Sequence, residues 1–173
     1  MNYKEKLDKI NTFILDVDGV LTDGSIQLMP DGSFARSMNV RDGYAMQYAI
    51  KQGFTIAIIT GGRDEMVQQR LRYLGITDIY LGSFHKIEDY KDILFKYNLK
   101  AENIVFVGDD IPDLEVMEQV GLSVCPYDAC SEIRAISDYI SPILGGKGVV
   151  RDIIEQVLKV QGKWNNAIDI ASV

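Results

Sequence analysis

The sequence predicts an α/β fold, with a parallel sheet covered by helices on both faces. Two observations carry that expectation. Short apolar runs rich in β-branched residues alternate with amphipathic stretches along the chain, the pattern of repeated βαβ units. The runs, among them 55–59 and 103–107, are continuously apolar rather than alternating, as strands buried on both faces are. With 173 residues, 47% of them apolar and 25% charged, the chain is long enough to bury one substantial core.

Taken in order, residues 12–17 read as the first strand. Residues 25–38 read as a hairpin, because Pro30-Asp31-Gly32 is a turn signal between two short runs. Residues 43–52 read as a helix ended by Gly53, a residue suited to the position just past a helix. Residues 55–59 follow as a buried strand, 64–74 as a helix stopped by Gly75, 77–81 as a strand and 86–97 as a helix. Residues 103–107 read as a buried strand, 112–119 as a short helix and 122–124 as a strand. A helix near 131–135, a strand near 138–140 and a helix at 148–161 complete a Rossmann-like pattern. Residues 1–162 are expected to form one domain, with 163–173 as a weakly patterned tail containing Trp164.

Composition excludes several functions. A net charge of −7 argues against nucleic acid as the main partner. No apolar run has the length of a membrane span, and the charged N-terminus lacks a signal-peptide core, so the expected location is cytoplasmic. Cys125 and Cys130 form no metal-binding pattern and read as small core residues without a disulfide. His85 is the single histidine, so a Ser-His-Asp system would have to be built on it.

The chemistry concentrates where predicted strands end. The first ends in Asp16-Val17-Asp18-Gly19, placing two carboxylates on one strand face. Two anions so close need a cation or a proton between them, and Mg²⁺ is a hard cation suited to carboxylate and phosphate oxygens. The second ends in Thr60-Gly61-Gly62, Lys86 opens a helix after the third, and the fourth ends in Gly108-Asp109-Asp110-Ile111-Pro112-Asp113. Open α/β sheets bind ligands at this edge. Asp16 can attack phosphorus to form an aspartyl-phosphate, and Asp18 can protonate the leaving oxygen and then activate water. Asp16, the backbone carbonyl of Asp18, and Asp109 can hold Mg²⁺. Thr60, the amide of Gly61 and Lys86 can bind phosphate oxygens, while Gly19 and Gly61 let backbone approach the ligand. Each piece alone has an ordinary explanation, such as a turn, a helix cap or a solvated lysine. Their convergence in order does not.

At these residues the chain resembles the haloacid dehalogenase superfamily, whose four motifs read here as DVDGV, ITG, HK and GDDIPD. The resemblance implies Asp16 as nucleophile, Asp18 as acid/base, Thr60 and Lys86 on phosphate, and Asp109 on Mg²⁺. Asp110 is either a ligand or a support for one, and Asp113 orients the loop or caps its helix. Cap domains in this superfamily insert between the first and second or the second and third motifs. Both stretches are already filled by predicted elements, so no cap domain is expected and the site is open.

The segments 16–23, 39–44, 82–86 and 145–151 look like the capless tetrameric subgroup that hydrolyses 3-deoxy-D-manno-octulosonate (KDO) 8-phosphate in lipopolysaccharide precursor synthesis. Relatives acting on the nine-carbon keto-deoxynonulosonate 9-phosphate typically carry Glu where this chain has Gly62. The eight-carbon substrate is therefore expected, with the nine-carbon phosphate, or a non-catalytic interaction module on the same fold, as alternatives. Arg41, Arg63 and Arg70, with Gly62, are candidates to recognise the substrate's carboxylate. The hairpin is too short to bury its own apolar residues, Ile26, Leu28, Met29, Phe34 and Met38. Together with the resemblance, they predict a homotetramer.

Overall fold

The computed structural model describes residues 2–165. Its strands are β1 (Thr12–Leu15), β2 (Gln27–Leu28), β3 (Phe34–Ala35), β4 (Thr55–Ile59), β5 (Asp78–Tyr80), β6 (Ile104–Val107), β7 (Leu122–Cys125) and β8 (Tyr139–Ile140). Its helices are α1 (Val40–Lys51), α2 (Glu65–Tyr73), α3 (Lys86–Tyr97), α4 (Leu114–Met117), α5 (Ser131–Ile136) and α6 (Val149–Val160). Six strands form one sheet in the order β5-β4-β1-β6-β7-β8, every pairing parallel. The expected helix-covered parallel sheet is therefore present, and among the described residues no cap domain interrupts it.

Alternation along the central strands divides the core. Phe13, Leu15, Ile56 and Ile58 face one cluster, shared with α1, α2 and α6. Ile14, Ala57, Ile59 and Phe106 face the other, shared with α3, α4 and α5. Both faces of the sheet are thus dry, which is why these strands read as unbroken apolar runs.

The differences from expectation are local. A 3₁₀ segment at Tyr3–Lys9 precedes β1, capped by the side chain of Asn2. The inserted hairpin has only two residues per strand, Gln27 opposite Ala35 and Leu28 opposite Phe34. Ile26, Leu28, Met29 and Phe34 are exposed as expected, but Met38 is half-buried and packs against the core. Helix α1 begins at Val40 rather than 43, because the Asn39 side chain accepts a hydrogen bond from the N–H of Arg41 at 2.8 Å. Both cysteines are free, Cys125 in the core and Cys130 half-buried.

Trp164, expected in the tail, packs on Tyr48 with ring centroids 4.9 Å apart, under the Arg151 guanidinium. The rest of the expected tail, from 166 onward, lies outside the described residues. Among the described residues, no helix is long and apolar enough to cross a membrane.

Candidate active site

The sheet register assembles the site. Leu15 pairs with both Ile58 of β4 and Val107 of β6, so all three strands end at one level. Asp16 follows β1, Thr60 follows β4, and Gly108-Asp109 follow β6. Lys86 joins them as the first residue of α3. Asp16, Thr60, Lys86 and Asp109, with Asp18, Gly61, Gly62, Asp110 and Asp113, line one open cavity of about 520 Å³.

Asp16 is buried and held by one oxygen. Its Oδ1 accepts from the N–H of Val17 at 2.7 Å and pairs with Lys86 Nζ at 3.0 Å, which leaves Oδ2 available to a ligand. Lys86 also pairs with Asp113 at 2.7 Å, and the exposure of those two side chains is 5% and 1%. Burial opposes the charge on Lys86, but Asp16 and Asp113 outweigh it and raise its pKa above the ordinary value. The lysine is therefore a fixed cation. Burial, with the Asp113 charge behind it, pushes the Asp16 carboxyl up to about 7 against the pull of Lys86.

Asp113 is saturated by the protein itself. One oxygen takes the lysine, and the other accepts from the N–H of Asp109 at 3.0 Å and of Asp110 at 3.4 Å. This closes a capping box on the 3₁₀ turn Ile111–Asp113, the loop-orienting role the sequence assigns to it. Asp110 caps the same turn through Ile111 N–H at 2.9 Å.

The residues present fit a divalent cation. Asp16, Asp109 and Asp113 each bring a carboxylate oxygen within 4.8 Å of the others. Since Asp113 is already satisfied, Asp16 and Asp109 are the carboxylates left to bind. Oδ1 of Asp109 is buried with no hydrogen-bond partner, a costly state for a polar atom. Burial pushes Asp109 up to about 8, with repulsion from Asp16, Asp113 and Asp110 adding to it. Two neighbouring carboxylates driven toward their neutral forms are relieved by a cation between them.

Asp18 stands apart from that cluster. Its carboxylate is gripped by Arg36, with Nε to Oδ1 at 2.7 Å and Nη2 to Oδ2 at 3.1 Å. The sequence reading missed Arg36 because the hairpin, not a motif, brings it there. Thr60 is buried, and its Oγ1 accepts from Gly62 N–H at 3.2 Å, so its own proton is free for a ligand. A Cβ at Gly61 would meet nothing nearer than 3.8 Å, so the chain itself does not demand glycine there.

The three candidate arginines separate. Arg63 does not line the cavity but a neighbouring groove with Phe34, Arg36 and Gly62, its guanidinium 5.8 Å from the ring centre of the exposed Phe84 and packed across Gly82. Arg70 lies outside the cavity, in a groove under the hairpin. Arg41 is also outside it, beside Lys147 and Arg151 in another cavity. The Gly145-Gly146 stretch packs on the first motif: Gly146 N–H donates to Val20 O at 2.9 Å.

A family model for haloacid dehalogenase-like hydrolases matches residues 29–121. The 3-deoxy-D-manno-octulosonate 8-phosphate phosphatase KdsC of Escherichia coli K12 is 42% identical over 162 residues, covering 94% of this chain and 86% of that protein. The crystal structure of the Yersinia pestis phosphatase of the same name superposes with a TM-score of 0.92 at 36% identity, covering 94% of this chain and 88% of that one. The Moraxella catarrhalis phosphatase, solved with a magnesium ion, a phosphate ion and KDO, superposes with a TM-score of 0.91 at 34% identity, covering 94% of each chain.

Proposed function

The chain belongs to the haloacid dehalogenase-like hydrolases, and on that premise we propose that it is a Mg²⁺-dependent phosphatase of 3-deoxy-D-manno-octulosonate 8-phosphate. The observation that carries the reading is the geometry of Asp16. This buried carboxylate is anchored through Oδ1 and free at Oδ2, in one cavity with Asp18, Thr60 and Asp109.

In the reaction, Oδ2 of Asp16 attacks phosphorus and the bond to the sugar oxygen breaks. Asp18 gives that oxygen its proton, then takes one from the water that hydrolyses the aspartyl-phosphate and frees Asp16. Lys86 and the Thr60 hydroxyl bind the phosphate oxygens, and the N–H of Gly61 adds a neutral donor. Asp16, the Asp18 carbonyl and Asp109 would hold Mg²⁺, which supplies charge neutralisation between nucleophile and phosphate.

In this reading Arg63 is the candidate to meet the substrate's carboxylate, supported by its contact with Phe84, which lines the cavity. The same reading includes a homotetramer. Its support is the hairpin, where Leu28 is 72% and Phe34 52% exposed beside an apolar groove of about 510 Å³. Arg70 lines that groove, so in an assembly it would face a neighbouring copy.

The experiment is a substrate panel with released phosphate measured: the eight- and nine-carbon keto-deoxy sugar-acid phosphates beside small sugar phosphates. The eight-carbon compound is expected to give the highest kcat/KM, with turnover abolished by chelation and by Asp16→Asn. Preference for the nine-carbon compound would overturn the substrate, and full turnover by Asp16→Asn would overturn the nucleophile.

A further inference from the structure

We propose that Arg36 is a positioning residue that sets the plane of the Asp18 carboxyl group, so that the hairpin contributes to the chemistry; one of its two bonds gives way when Asp18 takes up the proton that it passes to the leaving oxygen. The inference rests on the reading of Asp18 as the proton donor to the leaving oxygen.

Arg36 follows β3, outside every motif at the sheet edge. Its guanidinium makes two parallel bonds to the two oxygens of Asp18, the fork geometry that fixes the plane of a carboxylate as well as its position. A third bond runs from Nη1 to Oδ2 of Asp64 at 2.9 Å. The other oxygen of Asp64 caps α2 through Met66 N–H at 2.8 Å, so the guanidinium is braced against a helix end. The Arg36 side chain is 11% exposed and that of Asp18 is 37%. Without the arginine, a carboxylate exposed to that degree would sample several rotamers in water.

Gly62 lies alongside this arrangement. A Cβ there would stand 3.7 Å from Arg36 Nη2, 3.8 Å from Asp18 Oδ2 and 3.6 Å from Thr60 Oγ1. The fork therefore sits beside the phosphate-binding threonine. Fixing the carboxylate in place avoids reorganisation during the reaction, and small displacements of catalytic groups are costly.

A tether is the competing role, since a two-residue ladder is marginal alone and Arg36 ties it to the core. The two roles differ in how they depend on the leaving group. A sugar alkoxide needs a proton as it departs, whereas the p-nitrophenolate of p-nitrophenyl phosphate does not. Comparing kcat/KM for these substrates isolates the first phosphoryl transfer, and their ratio within one preparation is independent of the folded fraction.

The test measures kcat/KM on the eight-carbon sugar-acid phosphate, a neutral hexose phosphate and p-nitrophenyl phosphate. Asp18→Asn is expected to lower both alkyl substrates relative to the aryl one by about 100-fold or more. Arg36→Met is expected to lower them by about tenfold in the same sense, with Arg36→Lys recovering part. Equal losses on all three substrates in Arg36→Met, with the ratio still altered in Asp18→Asn, would make Arg36 a tether and leave the function standing. A loss confined to the sugar-acid phosphate would make it a substrate-carboxylate ligand and also overturn the proposal. An unchanged ratio in Asp18→Asn would overturn the acid/base reading itself.

Discussion

Asp109 closes directly over Gly19: a β-carbon on that glycine would stand 1.9 Å from Oδ2 of Asp109. Gly19 also has φ near +84°, a conformation that costs other residues energy. Gly19→Ala therefore has to move the carboxylate left free for the cation. A misplacement of this kind costs on the order of 100-fold in rate. Phosphate-release assays across a Mg²⁺ titration are expected to show a fall of that size with a raised Mg²⁺ requirement. Gly62→Ala, whose Cβ meets only ordinary contacts, is the contrasting variant and is expected to retain most activity. Wild-type rates in Gly19→Ala would contradict the geometry.

Among the described residues, Lys86 is the single cation between two buried carboxylates, 3.0 Å from Asp16 and 2.7 Å from Asp113. Removing it leaves uncompensated buried charge, which costs about 3–5 kcal/mol. Urea denaturation of Lys86→Met is expected to show that loss without reference to activity. A change below about 1 kcal/mol would mean the two carboxylates are not charged together in the folded protein.

The part of the site that sequence made legible is the part built from strand ends. Asp16, Thr60 and Asp109 each follow a continuous apolar run, and a parallel register brings three such ends to one level. Arg36 was not legible. It lies 18 residues from Asp18 on a hairpin whose strands are two residues each, with no periodic pattern to orient it. The cap on α6 was hidden for a related reason. Gly148 at its N-terminus has no side chain to cap with, and the acceptor for Arg151 N–H is Asp42 of α1, at 2.7 Å and 109 residues away.

That long-range cap titrates. Burial pushes the Asp42 carboxyl up to about 6 from its ordinary 3.8, against the N–H and charge of Arg151. The folded chain thus holds this proton more tightly than the unfolded chain. Its contribution to stability is complete below about 3.8, is lost as pH rises through about 6, and is constant above that. Asp42→Asn keeps the acceptor for Arg151 N–H and removes the titration. Relative to wild type, the variant is expected to gain about 2 kcal/mol between pH 4 and pH 7 in urea denaturation. A difference that does not vary with pH would show that Asp42 keeps its ordinary pKa in the folded state.

The hairpin supplies a test of assembly that does not depend on catalysis. Leu28 is 72% and Phe34 52% exposed, they sit opposite each other across the ladder, and Phe34 borders the apolar groove that also holds Met66 and Val67. In an isolated chain, charge at such exposed positions changes stability by only about 0.5 kcal/mol. In a tetramer built on this face the same charge would be buried without a partner, at a cost of several kcal/mol per site. Leu28→Asp with Phe34→Asp is therefore expected to shift the sedimenting species from tetramer to smaller forms while each chain keeps its circular dichroism spectrum. If the wild-type protein sediments as a monomer, or the double variant remains a tetramer, the hairpin is not the interface, and its exposed apolar residues need another partner.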